Sequence, residues 1–174
     1  MNESVERTLR ALVYDVPDFP QAGILFRDIT PLLANGDALR ATVDALAGAF
    51  PGVAIVAGIE SRGFILGSAV ADRIGAGFVP VRKVGKLPST TVRVSYDLEY
   101  GSDSLEMHRD AVEPGQRVLI VDDLLATGGT ARAAVDLVKQ LGGTVEGLAF
   151  LIELADLNGR SRLPGEHVFA VLQY

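Results

Sequence analysis

Residues 118–130, Val-Leu-Ile-Val-Asp-Asp-Leu-Leu-Ala-Thr-Gly-Gly-Thr, constrain the fold of this chain more than any other stretch. A short run that is apolar throughout, Val118 to Val121, suits a strand covered on both faces in an α/β sheet. The run meets two adjacent carboxylates, and a short loop then ends in Gly-Gly flanked by threonines. Beyond it Ala131, Ala134, Val135, Val138 and Leu141 recur at helical spacing while Arg132, Asp136 and Lys139 lie off that stripe, which predicts an amphipathic helix. Gly142 and Gly143 supply its C-terminal stop.

This order builds a pocket for a phosphorylated sugar. The first N–H groups of a helix lack intrahelical partners, and the helix dipole adds partial positive charge there. Gly128 and Gly129 carry no side chain to block an anion, and Thr127 and Thr130 add hydroxyl donors, so the helix start suits a phosphate monoester. A Walker loop would need a lysine that is absent here, and a dinucleotide fingerprint would need its glycines directly after the strand. Ionised Asp122 and Asp123 can accept hydrogen bonds from vicinal ribose hydroxyls, or meet a substrate-borne Mg²⁺ through water. Taken alone, the same residues also allow an ordinary strand-to-helix turn with a capping threonine and solvated acids. Ligands of open α/β sheets bind beyond strand C-termini, which favours the binding reading.

The stretch resembles the diphosphate-sugar signature of the type I phosphoribosyltransferases. The resemblance implies that Asp122 and Asp123 hold the ribose hydroxyls of phosphoribosyl diphosphate. It assigns the 5-phosphate to Ala126, Thr127, Gly128, Gly129 and Thr130.

The chain of 174 residues is long enough for one domain with a sizeable core. Its hydrophobic content of 48% with 22% charged residues describes a globular protein rather than a disordered one. It has no cysteine, which excludes disulfides and thiol chemistry. The N-terminus lacks the basic-then-apolar order of a signal peptide, and the longest uncharged run, Ala45 to Ile59, is interrupted by Pro51 and glycines. A cytoplasmic location is the expectation. The net charge of −6 argues against general nucleic-acid affinity. An acidic protein with a polyanionic substrate must gather its cations locally, and Arg82, Lys83, Lys86 and Arg93 form such a group, although a solvated basic loop would look the same.

Ser4 to Val13 reads as a first helix, broken by Val16-Pro17-Asp18-Phe19-Pro20. Asp37 to Phe50 resumes helical spacing, Val53 to Ile59 reads as a buried strand, Gly63 to Ile74 as a helix, and Phe78 to Arg82 as a strand. From Thr90 to Glu106 polar and apolar residues alternate, which predicts half-exposed strands around a turn at Gly101. Further strands are expected near Val145 to Leu154 and Val168 to Leu172. The alternation of strand and helix predicts an α/β fold, a mostly parallel twisted sheet with helices on both faces. Residues 1–36 and the ribbon within 84–104 fall outside that alternation and are read as covers over the site, a small hood and a mobile β-ribbon loop, on a single domain whose core is 37–174.

Gly58-Ile59-Glu60-Ser61-Arg62-Gly63 stands at a second strand-to-helix junction, where Arg62 can add a charge-assisted clamp to backbone N–H groups. By resemblance it is the family's diphosphate-binding loop, placing Glu60, Ser61 and Arg62 on the substrate; a plain surface pair of Glu60 with Arg62 is the alternative. Residues 17–31, Pro-Asp-Phe-Pro-Gln-Ala-Gly-Ile-Leu-Phe-Arg-Asp-Ile-Thr-Pro, resemble the base-recognition hood of adenine phosphoribosyltransferases. That resemblance implies that Phe26 stacks on the purine while backbone groups of Leu25 and Arg27 read its edge. Judged alone, Phe26 is equally well a core aromatic. Stacking suits any purine, so selectivity must come from hydrogen bonding: a backbone carbonyl facing the 6-position accepts from adenine and leaves a 6-oxopurine unpaired.

Ser95-Tyr96-Asp97-Leu98-Glu99-Tyr100-Gly101 matches the family's catalytic loop, and Arg82-Lys83 with Gly85-Lys86-Leu87-Pro88 matches the strand that leads into it. The match implies that Glu99 exchanges a proton with the purine, with Tyr100 shielding it and Arg82, Lys83 and Lys86 near the diphosphate; Glu99 as a mere orienting residue is the alternative. His108 and His167 show no metal-ligand spacing. The resemblance as a whole implies an enzyme that joins adenine and phosphoribosyl diphosphate to give AMP and diphosphate. It further implies Mg²⁺, held on substrate oxygens and water rather than by protein ligands, and a homodimer. Transfer to another purine base, or a non-catalytic regulator that binds phosphoribosyl diphosphate, are the rival readings.

Overall fold

The computed structural model describes residues 3–97 and 102–174. Helix α1 (Glu3–Ala11) leads into an antiparallel pair, β1 (Tyr14–Pro17) and β2 (Leu25–Asp28), and then α2 (Thr30–Ala34) and α3 (Gly36–Gly48). Strand β3 (Ile55–Ile59), helix α4 (Arg62–Ile74) and strand β4 (Gly77–Lys83) follow, before a ribbon of β5 (Thr91–Asp97) and β6 (Ser102–His108). Strand β7 (Arg117–Leu125), helix α5 (Gly129–Gln140), β8 (Thr144–Glu153) and β9 (Val168–Gln173) complete the order.

Seven strands form one sheet in the order β5-β6-β4-β3-β7-β8-β9. The five strands from β4 to β9 in that order are mutually parallel, and only the ribbon runs antiparallel. The fold is therefore the expected α/β sandwich, with helices on both faces. Successive side chains of a strand point to opposite faces, and β7 shows this sorting clearly. Leu119 and Val121 join Val56, Leu46, Leu66 and Val70 in a core beneath α3 and α4. Val118 and Ile120 join Ala57, Ile59, Val135 and Val138 in a second core beneath α5. Each such valine, leucine or isoleucine side chain, fully buried, contributes roughly 1.5–3 kcal/mol relative to exposure. None of the described helices is long and apolar enough to cross a membrane.

Local sequence sets the helix ends. The Asn35 side chain accepts a hydrogen bond from Ala38 N–H at 3.0 Å and so caps α3. Gly142, at φ +85°, and Gly143 close α5, their N–H groups donating to Lys139 and Val138 carbonyls at 3.0 Å each.

Three expectations need correction. The proline-rich break after α1 contains a strand, because residues 14–17 find an extended partner in residues 25–28. The ribbon does not stand apart from the sheet: β6 pairs with β4 through Arg82↔Glu106 and Lys83↔Leu105, and Val92, Val94 and Tyr96 face the second core. Strand β7 does not stop at the carboxylates. Leu124 and Leu125 pair with Ile152 and Glu153 of β8, so Asp122 and Asp123 lie within the strand.

Candidate active site

A cleft of about 380 Å³ opens at the C-terminal ends of β3, β4 and β7, the edge at which parallel sheets bind ligands. Asp122 and Asp123 lie in its wall, only 9% and 7% exposed. They are buried because the strand continues past them, which excludes the solvated-acid alternative. Burial pushes the Asp122 carboxyl well above the usual carboxylate range, and the neighbouring Asp123 charge pushes it further. Asp122 Oδ1 accepts the Asp123 N–H at 2.8 Å. Helix α4 must begin almost against this carboxylate, since a Cβ on Gly63 would lie 2.8 Å from Asp122 Oδ1.

Arg62 occupies the first turn of α4, directly after a cis peptide between Glu60 and Ser61. Its Nη2 lies 3.0 Å from Asp123 Oδ2, its Nη1 donates to the Arg27 carbonyl at 3.4 Å, and its guanidinium carbon sits 4.8 Å from the centre of the Phe26 ring. One side chain thus spans the acid pair and the hood. Glu60 does not pair with Arg62. It accepts from Arg82 Nε at 3.2 Å and from the Lys83 N–H at 3.1 Å. Ser61 is exposed beside them.

The loop from Ala126 to Thr130 lines the opposite wall. Gly128 precedes α5 at φ +83°, a conformation that favours glycine. As the cap residue it has no side chain to satisfy the first N–H groups of the helix, which leaves them to a ligand. The loop is held from behind. A Cβ on Gly128 would overlap the Gly159 carbonyl oxygen, and a Cβ on Gly159 would overlap the Ala126 carbonyl oxygen. Gly128 therefore serves close backbone packing as well as open access. The Thr130 hydroxyl donates to Tyr96 Oη at 3.4 Å, while Thr127 is exposed.

Among the expected cations, Lys83 lines the cleft. Its Nζ lies 3.0 Å from Asp103 Oδ2, and that hydrogen bond holds the lysine pKa above and the aspartate pKa below their ordinary values. Arg82 turns to Glu60 and to the Lys86 carbonyl, and Lys86 is exposed. Leu25 is 47% exposed on β2. Phe26 meets Phe19 edge-to-face at 5.1 Å, and Arg27 pairs with Asp15. These three hood residues, with Ser61, Arg82 and Lys86, lie outside the wall of the cleft itself, and Arg62 connects Phe26 and Arg27 to it. Glu99 and Tyr100 lie outside the described residues.

Sequence reasoning missed Tyr96, Asp103, Glu106 and Gly159. Tyr96 continues the inward alternation Val92-Val94-Tyr96 and faces Asp103 across the ribbon, so the period-two pattern carried a signal. Gly159 follows Asn158 in a dipeptide that marks a turn. Glu106, 1% exposed, accepts from the N–H groups of Gly85, Lys86 and Leu87 and from the Thr91 hydroxyl. Burial raises its pKa, but these donors outweigh burial and hold it below the ordinary value. It fixes the turn that carries Lys86.

A phosphoribosyl transferase domain matches residues 49–168. The adenine phosphoribosyltransferase of Acidobacterium capsulatum is 60% identical over 168 residues, covering 95% of this chain and 93% of that protein. The chain belongs to the adenine phosphoribosyltransferase family. The crystal structure of the Rhodothermus marinus adenine phosphoribosyltransferase superposes with a TM-score of 0.96 at 55% identity, covering 99% of this chain and 100% of that one. The adenine phosphoribosyltransferase of Saccharomyces cerevisiae, solved with an imino-altritol bisphosphate and adenine, superposes with a TM-score of 0.92 at 42% identity, covering 98% and 100%.

Proposed function

We infer that this chain transfers the 5-phosphoribosyl group of phosphoribosyl diphosphate to N9 of adenine, giving AMP and diphosphate in purine salvage. The observation that carries the reading is the side chain of Arg62, which joins the buried acid pair to Phe26 of the hood, the link expected if a sugar site lies beside a base site.

In the reaction the bond from the anomeric carbon to the diphosphate oxygen breaks, the bond to N9 forms, and the N9 proton is lost. Asp122 and Asp123 would hold the ribose hydroxyls, and the loop from Ala126 to Thr130 would hold the 5-phosphate on the start of α5. Vicinal hydroxyls would add donors to an acid pair that already accepts from the Asp123 N–H and faces Arg62. Positive charge builds on the ribose ring and negative charge on the departing diphosphate. Arg62 and Lys83, the two cations in the cleft wall, would face that leaving group, with the Glu60-Ser61 turn beside them. Arg82 acts through Glu60, and Lys86 stands on the turn that Glu106 fixes. Phe26 would stack on adenine, with backbone groups of Leu25 and Arg27 selecting its 6-amino edge. Tyr96 and Asp103 already bring the ribbon into the wall, which suits a role in excluding water from the reactive ribosyl centre. Glu99 is assigned proton exchange with the purine.

When bound, Mg²⁺ supplies charge neutralisation to the diphosphate. Asp122 and Asp123 in the cleft wall are a pair of carboxylates that would meet, through water, a cation carried on substrate oxygens. We also assign the protein to the cytoplasm as a homodimer. Steady-state rates with phosphoribosyl diphosphate, Mg²⁺ and adenine, hypoxanthine, guanine or xanthine test the base assignment. Adenine should be strongly preferred, and a preference for an oxopurine would overturn the reading of the hood.

A further inference from the structure

We propose that Tyr174 is a positioning residue for the purine, anchoring the hood to the main sheet through a stack of two guanidinium groups on its ring. The proposal rests on the reading of β2 as the base-holding segment.

Two guanidinium carbons lie over the Tyr174 ring, that of Arg27 at 4.1 Å from its centre and that of Arg10 at 4.6 Å. Its backbone is locked in place. The Tyr174 N–H donates to the Glu153 carbonyl at 2.9 Å, and its own carbonyl accepts from the Ala155 N–H at 2.8 Å, so the ring is fixed to the end of β8. Arg10 completes the stack from α1, donating to the Gln173 carbonyl at 2.9 Å and pairing with Glu6 at 3.0 Å. Arg27 is 16% exposed, and its charge is answered by Asp15, its cross-strand neighbour in the hood. A guanidinium removed from water in this way gains most from an aromatic face, because the ring replaces part of its lost hydration.

Adjacent residues of a strand face opposite sides. Arg27 therefore points to the Tyr174 side of β2 while Phe26 points to the cleft side, and holding the first sets the plane of the second. Arg62 also ties β2 to the body, through the Phe26 ring and the Arg27 carbonyl. That tie uses groups assigned to the substrates. The Tyr174 stack uses the Arg27 guanidinium and leaves the backbone of Arg27, the part assigned to the purine, free of it.

The test measures KM for adenine and for phosphoribosyl diphosphate in Tyr174→Leu, Tyr174→Phe and Phe26→Ala. Tyr174→Leu should raise KM for adenine about tenfold and leave KM for phosphoribosyl diphosphate within about twofold, while Tyr174→Phe, which keeps the aromatic face, should stay near the parent. An equal rise in both KM values, or a Phe variant as impaired as the Leu variant, overturns the proposal. Phe26→Ala separates the two readings. If it leaves KM for adenine unchanged, the hood assignment fails and the anchor with it; if it raises that KM while Tyr174→Leu does not, only the anchor fails. Should Tyr174→Leu not fold, Arg10→Met removes one guanidinium of the stack and should raise KM for adenine alone about threefold; no change there also overturns the proposal.

Discussion

Asp122 sits in strand β7 beside a second carboxylate, with Gly63 pressed against it, and both burial and the Asp123 charge disfavour its ionised form. A group whose folded pKa is raised contributes stability that is full below its unfolded value and is lost as pH rises through the folded value. Asp122→Asn removes that loss. We expect the variant to melt higher than the parent at neutral pH, by about 2–4 °C for each kcal/mol released, and to lose phosphoribosyl transfer. Melting curves at several pH values with activity assays check both; an unchanged or lower melting temperature at neutral pH would contradict the burial argument. Glu106 has the opposite sign. Its folded pKa lies below the ordinary 4.5, so its contribution is present above that value and disappears as pH falls through the folded one. Glu106→Gln should cost roughly 1.5–3 kcal/mol at neutral pH, in the range for hydrogen bonds to a charged group, and the deficit should shrink in acid. Urea titrations at neutral and acid pH measure it, and a deficit independent of pH would count against the charge. The acids at 122 and 123 were legible as residues because an apolar run meets two adjacent carboxylates just before a glycine loop, and open α/β sheets bind ligands there. Their burial was not, since it depends on β8 pairing beyond them.

At the scale of elements, the back-to-back contact of the 126–130 loop with Gly159 is the most exacting. Two backbone segments cross where no side chain fits, and the second belongs to a pair of short 3-10 turns that Arg160 pins by pairing with Glu153 at 2.6 Å. Gly159→Ala should therefore displace the Ala126 carbonyl and distort the 126–130 loop, which we assign to the 5-phosphate. We expect KM for phosphoribosyl diphosphate to rise at least about tenfold, with adenine affinity changed much less, since misplacing a binding group by about an ångström has effects of that order or larger. Equilibrium titrations with AMP and with adenine separate the two, because only AMP carries the 5-phosphate. Equal weakening of both would make Gly159 a general packing residue. The stretch 118–130 was readable because its information is local: an apolar run, a helical stripe and glycines in order. The contact with Gly159 joins segments some thirty residues apart, and the β1–β2 pair depends on a partner beyond a proline-rich turn. Neither leaves a periodic trace in the sequence.

Across the whole molecule, the hood segment and the sheet share one interior. Leu9, Val13, Ile29 and Leu32 pack in the same core as Val56, Leu119 and Leu151. Residues 1–36 should therefore melt together with 37–174 in a single calorimetric transition, with equal calorimetric and van't Hoff enthalpies. Two resolved transitions would mark the hood as a separate unit. Phosphoribosyl diphosphate with Mg²⁺ at about a hundred times its Kd should add about 2.7 kcal/mol to that stability, and a chelator should remove most of the gain in a thermal-shift experiment. The general α/β plan was legible from alternating elements, but the sheet order was not, because β3 and its neighbour β7 are separated by the whole of α4, β4 and the ribbon. That separation matters while the chain is being made. Until residues 117–125 emerge from the ribosome, β3 has β4 on one side and an open row of backbone donors and acceptors on the other, the kind of edge that invites wrong partners. The segment that closes this edge is also the one that carries Asp122 and Asp123. A nascent chain thus covers β3 and completes the pair of acids in the same step of synthesis, and the open edge passes to β7 until β8 follows.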